Sequence, residues 1–291
     1  MHNQERIMQL QNEERMLKCQ YAARVRFNQA EVLRYLALIA SIAPALTIFL
    51  SNSDNWLWLI LPTAIDALIL AFIKQTSIAV FDAAQLRNYF DSVVLNIIPN
   101  QYNQDEAASI HQKADKICLR HKKDYSIRIQ NTGRDDPPGV KNWYEFSDRY
   151  TVSCAVYECQ KQNRWWSEQL IKIRRVVSIA LLAIVIAGIV LLRLVFKCSL
   201  IELSICFAGL VFNLFDFIKE DFEYSKLLAE MATIMNVPRI FSSDDALQHL
   251  QGIICRRREL PVLEINLFHK IYSKYWSELY ETSNSDAKSA E

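Results

Sequence analysis

Two long apolar blocks constrain the fold of this chain more than any other feature of its sequence. The blocks cover residues 35–73 and 176–218, and each is longer than the roughly 20 residues that one transmembrane helix needs. Polar residues interrupt the first block at 51–55 and the second at 193–199. Each block is therefore expected to form a helical hairpin, which gives four membrane spans.

The fold class that follows is an all-α membrane protein with two transmembrane hairpins and a mainly helical cytosolic domain. No secretory signal peptide is expected, because the segment before the first block is polar and too long for the charged start of one. The predicted segments are an N-terminal cytosolic helix (1–34), hairpin 1 (35–73), a cytosolic ligand-sensing domain (74–175), hairpin 2 (176–218) and cytosolic C-terminal helices with a disordered tail (219–291).

Basic residues set the expected orientation in the membrane. They lie before the first span, after the second and before the third, whereas the turn at 51–55 has none: Arg24, Arg26, Arg34, Lys74, Lys172, Arg174 and Arg175. Since flanks rich in Lys and Arg stay in the cytosol, both termini and the middle domain are expected there. Arg193 and Lys197, in the second turn, oppose this orientation.

Local signals predict helices in the polar segments. The spacing of Leu86, Phe90, Val93 and Ile97 extends the second span as a cytosolic helix, which Pro99 should stop.

A capping box predicts the next helix, because Asn103 is followed three residues later by Glu106. Its buried face is expected to comprise Ala107, Ile110, Ala114 and Ile117.

Residues 122–149 form the longest segment without a helical pattern. Tyr125, Ile127 and Ile129 alternate with polar residues, which predicts a short extended stretch, and turn signals follow it. From residue 150 the chain is predicted to be helical without a break to 196.

Three helices are predicted beyond the second block. The first continues to Pro238, the second opens at Ser243, and the last covers residues 263–280.

Catalytic chemistry is not indicated. The five histidines lie in separate segments without a metalloprotease motif, and five glycines in the whole chain leave no glycine-rich phosphate loop. The seven cysteines lack structural zinc spacing. A net charge of +1 gives no basic surplus for a DNA or RNA polymer. We therefore expect a protein that is not an enzyme and carries no cofactor.

The candidate ligand site lies in the irregular segment. Arg128, Arg134 and Lys141 accompany Trp143 and Tyr144 there. Aromatic faces stack on bases and basic side chains hold phosphates, so these five residues are predicted to bind a nucleotide. The alternative is that the aromatic residues belong to the core of the cytosolic domain.

Trp165 and Trp166 allow three interpretations: core of the cytosolic domain, membrane interface before the third span, or ligand site.

Ionisable residues within the blocks are candidates for function, because a charge inside a membrane is costly. Asp66 falls in the middle of the second span, whereas Glu202 and Asp216 fall nearer the ends of the fourth. These three are predicted to line a pore or to pack between spans. For Glu202 and Asp216, contact with lipid headgroups is the alternative.

Three sequence elements resemble a known family. They are "GVKNWY", with Gly139, Trp143 and Tyr144, then "CQKQNRWWSEQL", and then a basic "KIRR" that runs into the second apolar block. Together they resemble the SMODS-associated four-transmembrane pore-forming effectors of bacterial anti-phage signalling. The family's Q-x-N-x-WW element falls on Asn163 and the two tryptophans, with either Gln160 or Gln162 as its glutamine. Glu145 stands where a proline tends to follow the family's WY pair.

The resemblance implies a bacterial inner-membrane effector. Its activating ligand would be a cyclic di- or trinucleotide made by a cognate nucleotidyltransferase, and its other partners would be membrane lipid and further copies of itself. Two alternatives remain: a membrane-anchored scaffold without a pore, and a constitutive channel or transporter.

Overall fold

A computed structural model describes residues 3–46, 57–98, 101–144, 151–197, 199–237, 243–262, 275–276 and 279. This part of the chain contains helices and no strand. In chain order the helices are α1 (Asn3–Leu10), α2 (Glu14–Ala40), α3 (Ala43–Leu46), α4 (Leu57–Leu95), α5 (Gln104–Arg120), α6 (Lys122–Arg128), α7 (Val152–Phe196), α8 (Leu200–Met235) and α9 (Asp244–Glu259). The all-helical class predicted from the sequence is confirmed.

Three of the described helices are long and apolar enough to cross a membrane: α4, α7 and α8. The first predicted span does not form one continuous helix in the described residues. There α2 ends at Ala40, and the short α3 follows it. Pro44 lacks the N–H group that a continuing helix needs, and it occupies the first turn of α3. The rest of that span and the turn predicted at 51–55 lie outside the described residues.

Each of the three apolar helices also continues into a polar part of the molecule. The helix predicted from 150 to 196 is confirmed, since α7 runs for 45 residues without a break. Thr151 caps its start by accepting a hydrogen bond from the N–H of Cys154 at 3.4 Å. Along the apolar half of α7 most large side chains are exposed, as for Val176 and Ile184, which is the pattern of a lipid-facing helix.

The polar helices pack into one unit, which we call the head. It consists of α1, α5, α6 and α9 with the N-terminal parts of α2 and α7 and the C-terminal parts of α4 and α8. Its main core includes Ile7, Phe90, Ile110, Ala155 and Leu247, one from each of five helices. A second core joins α7, α8 and α9. Burial of these apolar side chains is the main stabilising term of the head.

The helix predicted from the capping box is confirmed. Asn103 accepts from the N–H of Glu106 at 2.9 Å, and the Glu106 carboxylate accepts from the N–H of Asn103 at the same distance. On its packed face Ile110, Ala114 and Ile117 are buried, and Ala107 is partly buried.

The extended stretch predicted around Tyr125 is wrong, because α6 occupies residues 122–128. The carboxylate of Asp124 accepts from Arg128 Nε at 2.7 Å, one turn along the helix. An oppositely charged pair four residues apart stabilises a helix. The alternation of apolar residues in this short segment gave no sign of that helix.

The first two of the three helices predicted after the second block are confirmed. α8 ends at Met235, shortly before Pro238, and the Ser243 side chain caps α9 through the N–H of Ala246 at 3.3 Å. The last helix, at 263–280, lies almost wholly outside the described residues, and the tail beyond it lies entirely outside them.

Candidate functional site

Residues 129–144, which follow α6, fold back on themselves rather than extending into solvent. Three backbone bonds close this segment: Gly139 N–H to Thr132 O at 2.7 Å, Val140 N–H to Arg128 O at 2.9 Å, and Lys141 N–H to Asn131 O at 3.0 Å. We call residues 129–144 the docking loop.

Gly139 allows the two backbone segments of the docking loop to approach each other this closely. A Cβ atom added to Gly139 would lie 1.9 Å from the carbonyl oxygen of Asn131 and 2.4 Å from that of Arg128. Such distances are far inside van der Waals contact, so only glycine fits without rearrangement. The glycine of the GxxxWY element is therefore explained by packing.

The turn between α1 and α2 holds the end of the docking loop. Gln11 accepts from the N–H of Tyr144 at 2.8 Å and donates to its carbonyl oxygen at 3.2 Å. Asn12 makes the same double contact with Asn142, accepting at 3.0 Å from its N–H and donating at 2.8 Å to its side chain. The loop is therefore fixed to the head by four hydrogen bonds over three residues.

Tyr144 lies in the core of the head, with 1% of its surface exposed. Its hydroxyl donates to Asp91 Oδ1 at 2.6 Å and accepts from Asn163 Nδ2 at 3.1 Å. Burial, together with the charge of Asp91, raises the pKa of Tyr144 well above its usual value. Two of the three sequence elements that carry the family resemblance therefore meet directly, through Tyr144 and Asn163.

Asp91 is the centre of this contact. Besides Tyr144 it accepts from Gln251 Nε2 at 3.2 Å, and it pairs with Arg258 Nη1 at 2.7 Å. Burial by itself would lower the pKa of Arg258, but the charge of Asp91 and its hydrogen bond, together with Tyr144 and Cys255, outweigh burial and raise the pKa. We call Asp91, Tyr144, Asn163, Gln251 and Arg258 the Asp91 network; it joins the docking loop to α4, α7 and α9.

Burial distinguishes the two candidate glutamines of the second element. Gln160 is fully buried and donates to Gln251 Oε1 at 3.1 Å, next to the Asp91 network. Gln162 is only partly buried.

Trp143 is half-buried beside the network. The guanidinium group of Arg87 lies 4.7 Å from its ring centroid and 5.1 Å from that of Phe27. These are distances at which a cation and an aromatic face attract. Arg87 was not among the residues that the sequence singled out.

The other predicted ligand residues take different positions. Arg128 is held by Asp124 and by the carbonyl oxygen of Pro138, at 2.8 Å. Arg134 and Lys141 are exposed on the docking loop. The structure thus places Tyr144 and Arg128 in internal contacts, and Arg134 and Lys141 at the surface with Trp143 partly accessible. Their role in binding a ligand stays a prediction.

Trp165 and Trp166 are half-buried on α7, with ring centroids 5.3 Å apart. Trp166 also contacts Trp276, at 6.1 Å, and Trp276 is buried. This favours the interpretation of the pair as part of the packing between α7 and the C-terminal region.

A second charged cluster lies where the polar and apolar parts of α2, α7 and α8 meet. Glu220 on α8 pairs with Arg34 on α2 at 3.0 Å and with Arg174 on α7 at 3.2 Å. Arg174 also pairs with Asp221 at 2.6 Å, and the ring of Phe217 lies 4.2 Å and 4.8 Å from the two guanidinium groups. We call this the arginine–acid cluster. It fixes three helices to one another beside a cavity of about 60 Å³.

The ionisable residues predicted for the spans have three distinct positions. Glu202 accepts from the N–H of Ser199 at 2.8 Å and so completes a capping box at the start of α8. Asp216 is exposed. Asp66 lies against Gly209, since a Cβ atom on Gly209 would be 2.5 Å from Asp66 Oδ1. Of the two roles predicted for Asp66, this position fits packing between spans, here α4 and α8.

The fold and these clusters define a helical membrane protein whose polar head is joined to its apolar helices without linkers. Residues 5–212 match the family described as the SMODS-associating 4TM effector domain. The match covers more than half of the chain, and the chain therefore belongs to this family of membrane effectors associated with SMODS nucleotide signalling. No curated protein and no solved structure matches the chain.

Proposed function

We propose that this chain is an effector of bacterial antiviral defence that senses a cyclic oligonucleotide and permeabilises the inner membrane as a homo-oligomeric pore. One observation carries the proposal. Asp91 and Asn163, which hold Tyr144 from two sides, lie on α4 and α7, and both helices continue into apolar segments that can cross a membrane. A ligand that moves the docking loop would therefore act on two spanning helices at once.

The ligand surface that we propose is the exposed side of the docking loop, with Trp143, Arg134 and Lys141. A half-buried indole supplies a stacking face and the two cations supply phosphate donors. The ligand would be a cyclic di- or trinucleotide, because a nucleotidyltransferase-derived signal is what the family's SMODS association implies. Tyr144 would act from the core by holding the loop.

A binding screen tests the ligand. Purified full-length protein in detergent is titrated with a panel of cyclic di- and trinucleotides, and Trp143→Ala is compared with wild type. If a base stacks on the indole, the substitution should weaken binding by about 1 to 3 kcal/mol. Lys123→Ala, an exposed change on α6, is the control that should leave the affinity unchanged. Equal affinity in a folded Trp143→Ala protein would remove that residue from the site.

Topology follows from the positive-inside rule: we propose that the head and both termini are cytosolic, with residues 51–55 outside. A cysteine placed at Ser53 should react with a membrane-impermeant reagent added from the outside. Reaction from the cytosolic side alone contradicts this orientation.

Coupling through α7 can be tested without changing the helix register. Gln169 and Lys172 lie between Asn163 and Arg174, and neither is buried. Gln169→Gly with Lys172→Gly should loosen α7 there, because glycine costs about 1 kcal/mol per position in a helix. Nucleotide affinity should persist, while nucleotide-triggered release of dye from liposomes should fall.

The matched control replaces the same two residues by alanine, which removes the side chains and keeps helix propensity. Dye release by the alanine variant should equal that of wild type. Full release by the glycine variant would show that opening is transmitted by another route, through α4 or through the C-terminal helices.

A further inference from the structure

Two polar side chains in the apolar part of the molecule have buried atoms that are unsatisfied in the described residues: Asp66 on α4, which lies against Gly209 of α8, and Asn213, one helical turn beyond Gly209. Asn213 is 3% exposed, and among the described residues neither its side-chain oxygen nor its nitrogen has a hydrogen-bond partner. Asp66 Oδ1 is also buried without a partner in the described part. Buried polar groups are nearly always bonded, so two such residues near one helix contact indicate a place that polar species enter.

The depth of the contact between Asp66 and Gly209 is close to the middle of a membrane. Asp66 is nine residues beyond the start of α4, and Gly209 is nine residues beyond the start of α8. Nine residues of helix rise about 14 Å, roughly half of a hydrocarbon core of about 30 Å. Asn213 follows Gly209 by one turn and so lies on the same side of α8.

The side of α8 that carries Asn213 is rich in polar and small residues from 202 to 220. Residues with polar, acidic or small side chains recur on it at alternating spacings of four and three: Glu202, Cys206, Gly209, Asn213, Asp216 and Glu220. This spacing keeps them along one face of a helix. The face begins at the capping box of α8 and ends at the arginine–acid cluster. All of its ionisable residues are acidic.

We propose that small cations cross the membrane along this face of α8, and that Asp66 and Asn213 form the narrow part of the path. The proposal rests on the pore proposed above and assigns its permeant species. Carboxylates and amide oxygens facing a water-filled path favour cations over anions. Gly209 lets α4 lie directly against α8, so that contact between the two helices closes the path at Asp66.

The experiment measures ion selectivity of full-length protein in planar bilayers under a KCl gradient. An equimolar mixture of cyclic di- and trinucleotides is the activating probe, and the reversal potential gives the permeability of K⁺ relative to Cl⁻. Wild type should prefer K⁺. Asp66→Asn should lower that preference about fivefold, since a unit charge 4 Å from an ion changes its occupancy by about that factor even in water. Asp66→Glu should retain it.

Matched variants distinguish a specific effect on this path from a general loss of structure. Asp105→Asn makes the same acid-to-amide change on an exposed residue of α5 and should leave selectivity as in wild type. Asn213→Leu should lower K⁺ conductance several-fold, whereas Phe212→Leu, on the exposed neighbour, should not. Nucleotide affinity, measured for every variant, reports that the head is folded.

Three outcomes decide the matter. K⁺ preference that depends on Asp66 supports the path. A nucleotide-opened conductance without K⁺ preference, or one that Asp66→Asn and Asn213→Leu leave unchanged, overturns the path and leaves the pore standing. Absence of any conductance in wild type overturns both proposals.

Discussion

Two aspartates on the same helix, Asp91 and Asp66, have opposite surroundings. Asp91, in the head, receives hydrogen bonds from Tyr144 and Gln251 and pairs with Arg258. Asp66, in the apolar half of α4, has one buried oxygen without a donor among the described residues and lies against a glycine. Asp91 is therefore held by matched partners on the docking loop and on α9, whereas the described contacts of Asp66 include no donor to its buried oxygen.

The difference has an energetic basis. A buried charge in a network of matched donors makes each partner depend on the others, so that removing one leaves the rest uncompensated. A buried oxygen without a donor contributes nothing to such a network and already bears its desolvation cost. Substitutions at the two aspartates should thus differ sharply in their effect on stability.

The largest effect is expected at Asp91. Asp91→Ala leaves the guanidinium of Arg258 buried without its counter-charge, and breaking such a pair costs about 3 to 5 kcal/mol. Unfolding of the detergent-solubilised protein, followed by circular dichroism against denaturant, measures the loss. The double variant Asp91→Ala with Arg258→Leu should recover part of it, since no unpaired charge remains. Wild-type stability of the single variant would mean that the network does not hold the head together.

An intermediate effect is expected at the docking loop. Gly139→Ala places a Cβ atom 1.9 Å from the Asn131 carbonyl oxygen, so the loop must open, at a cost of about 1 to 3 kcal/mol. Gly133→Ala, in the same loop, meets no atom within 4 Å and should change stability by less than about 1 kcal/mol. Thermal unfolding midpoints of the two variants compare them directly. Equal midpoints would contradict the packing explanation of Gly139.

The smallest effect on stability is expected at Asp66. Asp66→Asn removes a charge whose buried oxygen has no donor among the described residues, so the free energy of unfolding should stay within about 0.5 kcal/mol of wild type. The same denaturant titration as for Asp91 measures it. A loss as large as that of Asp91→Ala would show that Asp66 has a stabilising partner and would remove the contrast between the two regions.

Local sequence signals predicted the parts of the fold that depend on neighbouring residues. The capping box of Asn103 and Glu106 specifies the start of α5 by itself. Absence of glycine and proline from Tyr150 to Ala187 predicted the unbroken α7. The first span was predicted from hydropathy alone; it begins within α2, which extends from Glu14 to Ala40, and its later part lies outside the described residues.

The candidate site is formed by contacts between residues far apart in the chain, which the sequence alone does not reveal. Asp91 and Arg258 are 167 positions apart in the chain, and their pairing exists only once α4 and α9 pack. One signal was nevertheless present: Asp91 stands directly after Phe90, among the apolar residues that repeat along the C-terminal part of α4. Tyr144 was predicted to bind a ligand beside Trp143, and the structure places it in the core; periodicity cannot distinguish a stacking ring from a buried one.

The length of α7 converts small rotations into useful displacements. Its 45 residues span about 68 Å, which exceeds a hydrocarbon core of about 30 Å by more than twofold. Roughly 38 Å of helix therefore extends beyond the membrane, and a tilt of about 5° moves the far end of a rod of that length by about 3 Å. Conversely, a shift of that size at the docking loop, little more than one hydrogen-bond length, is enough to change the angle at which α7 enters the bilayer.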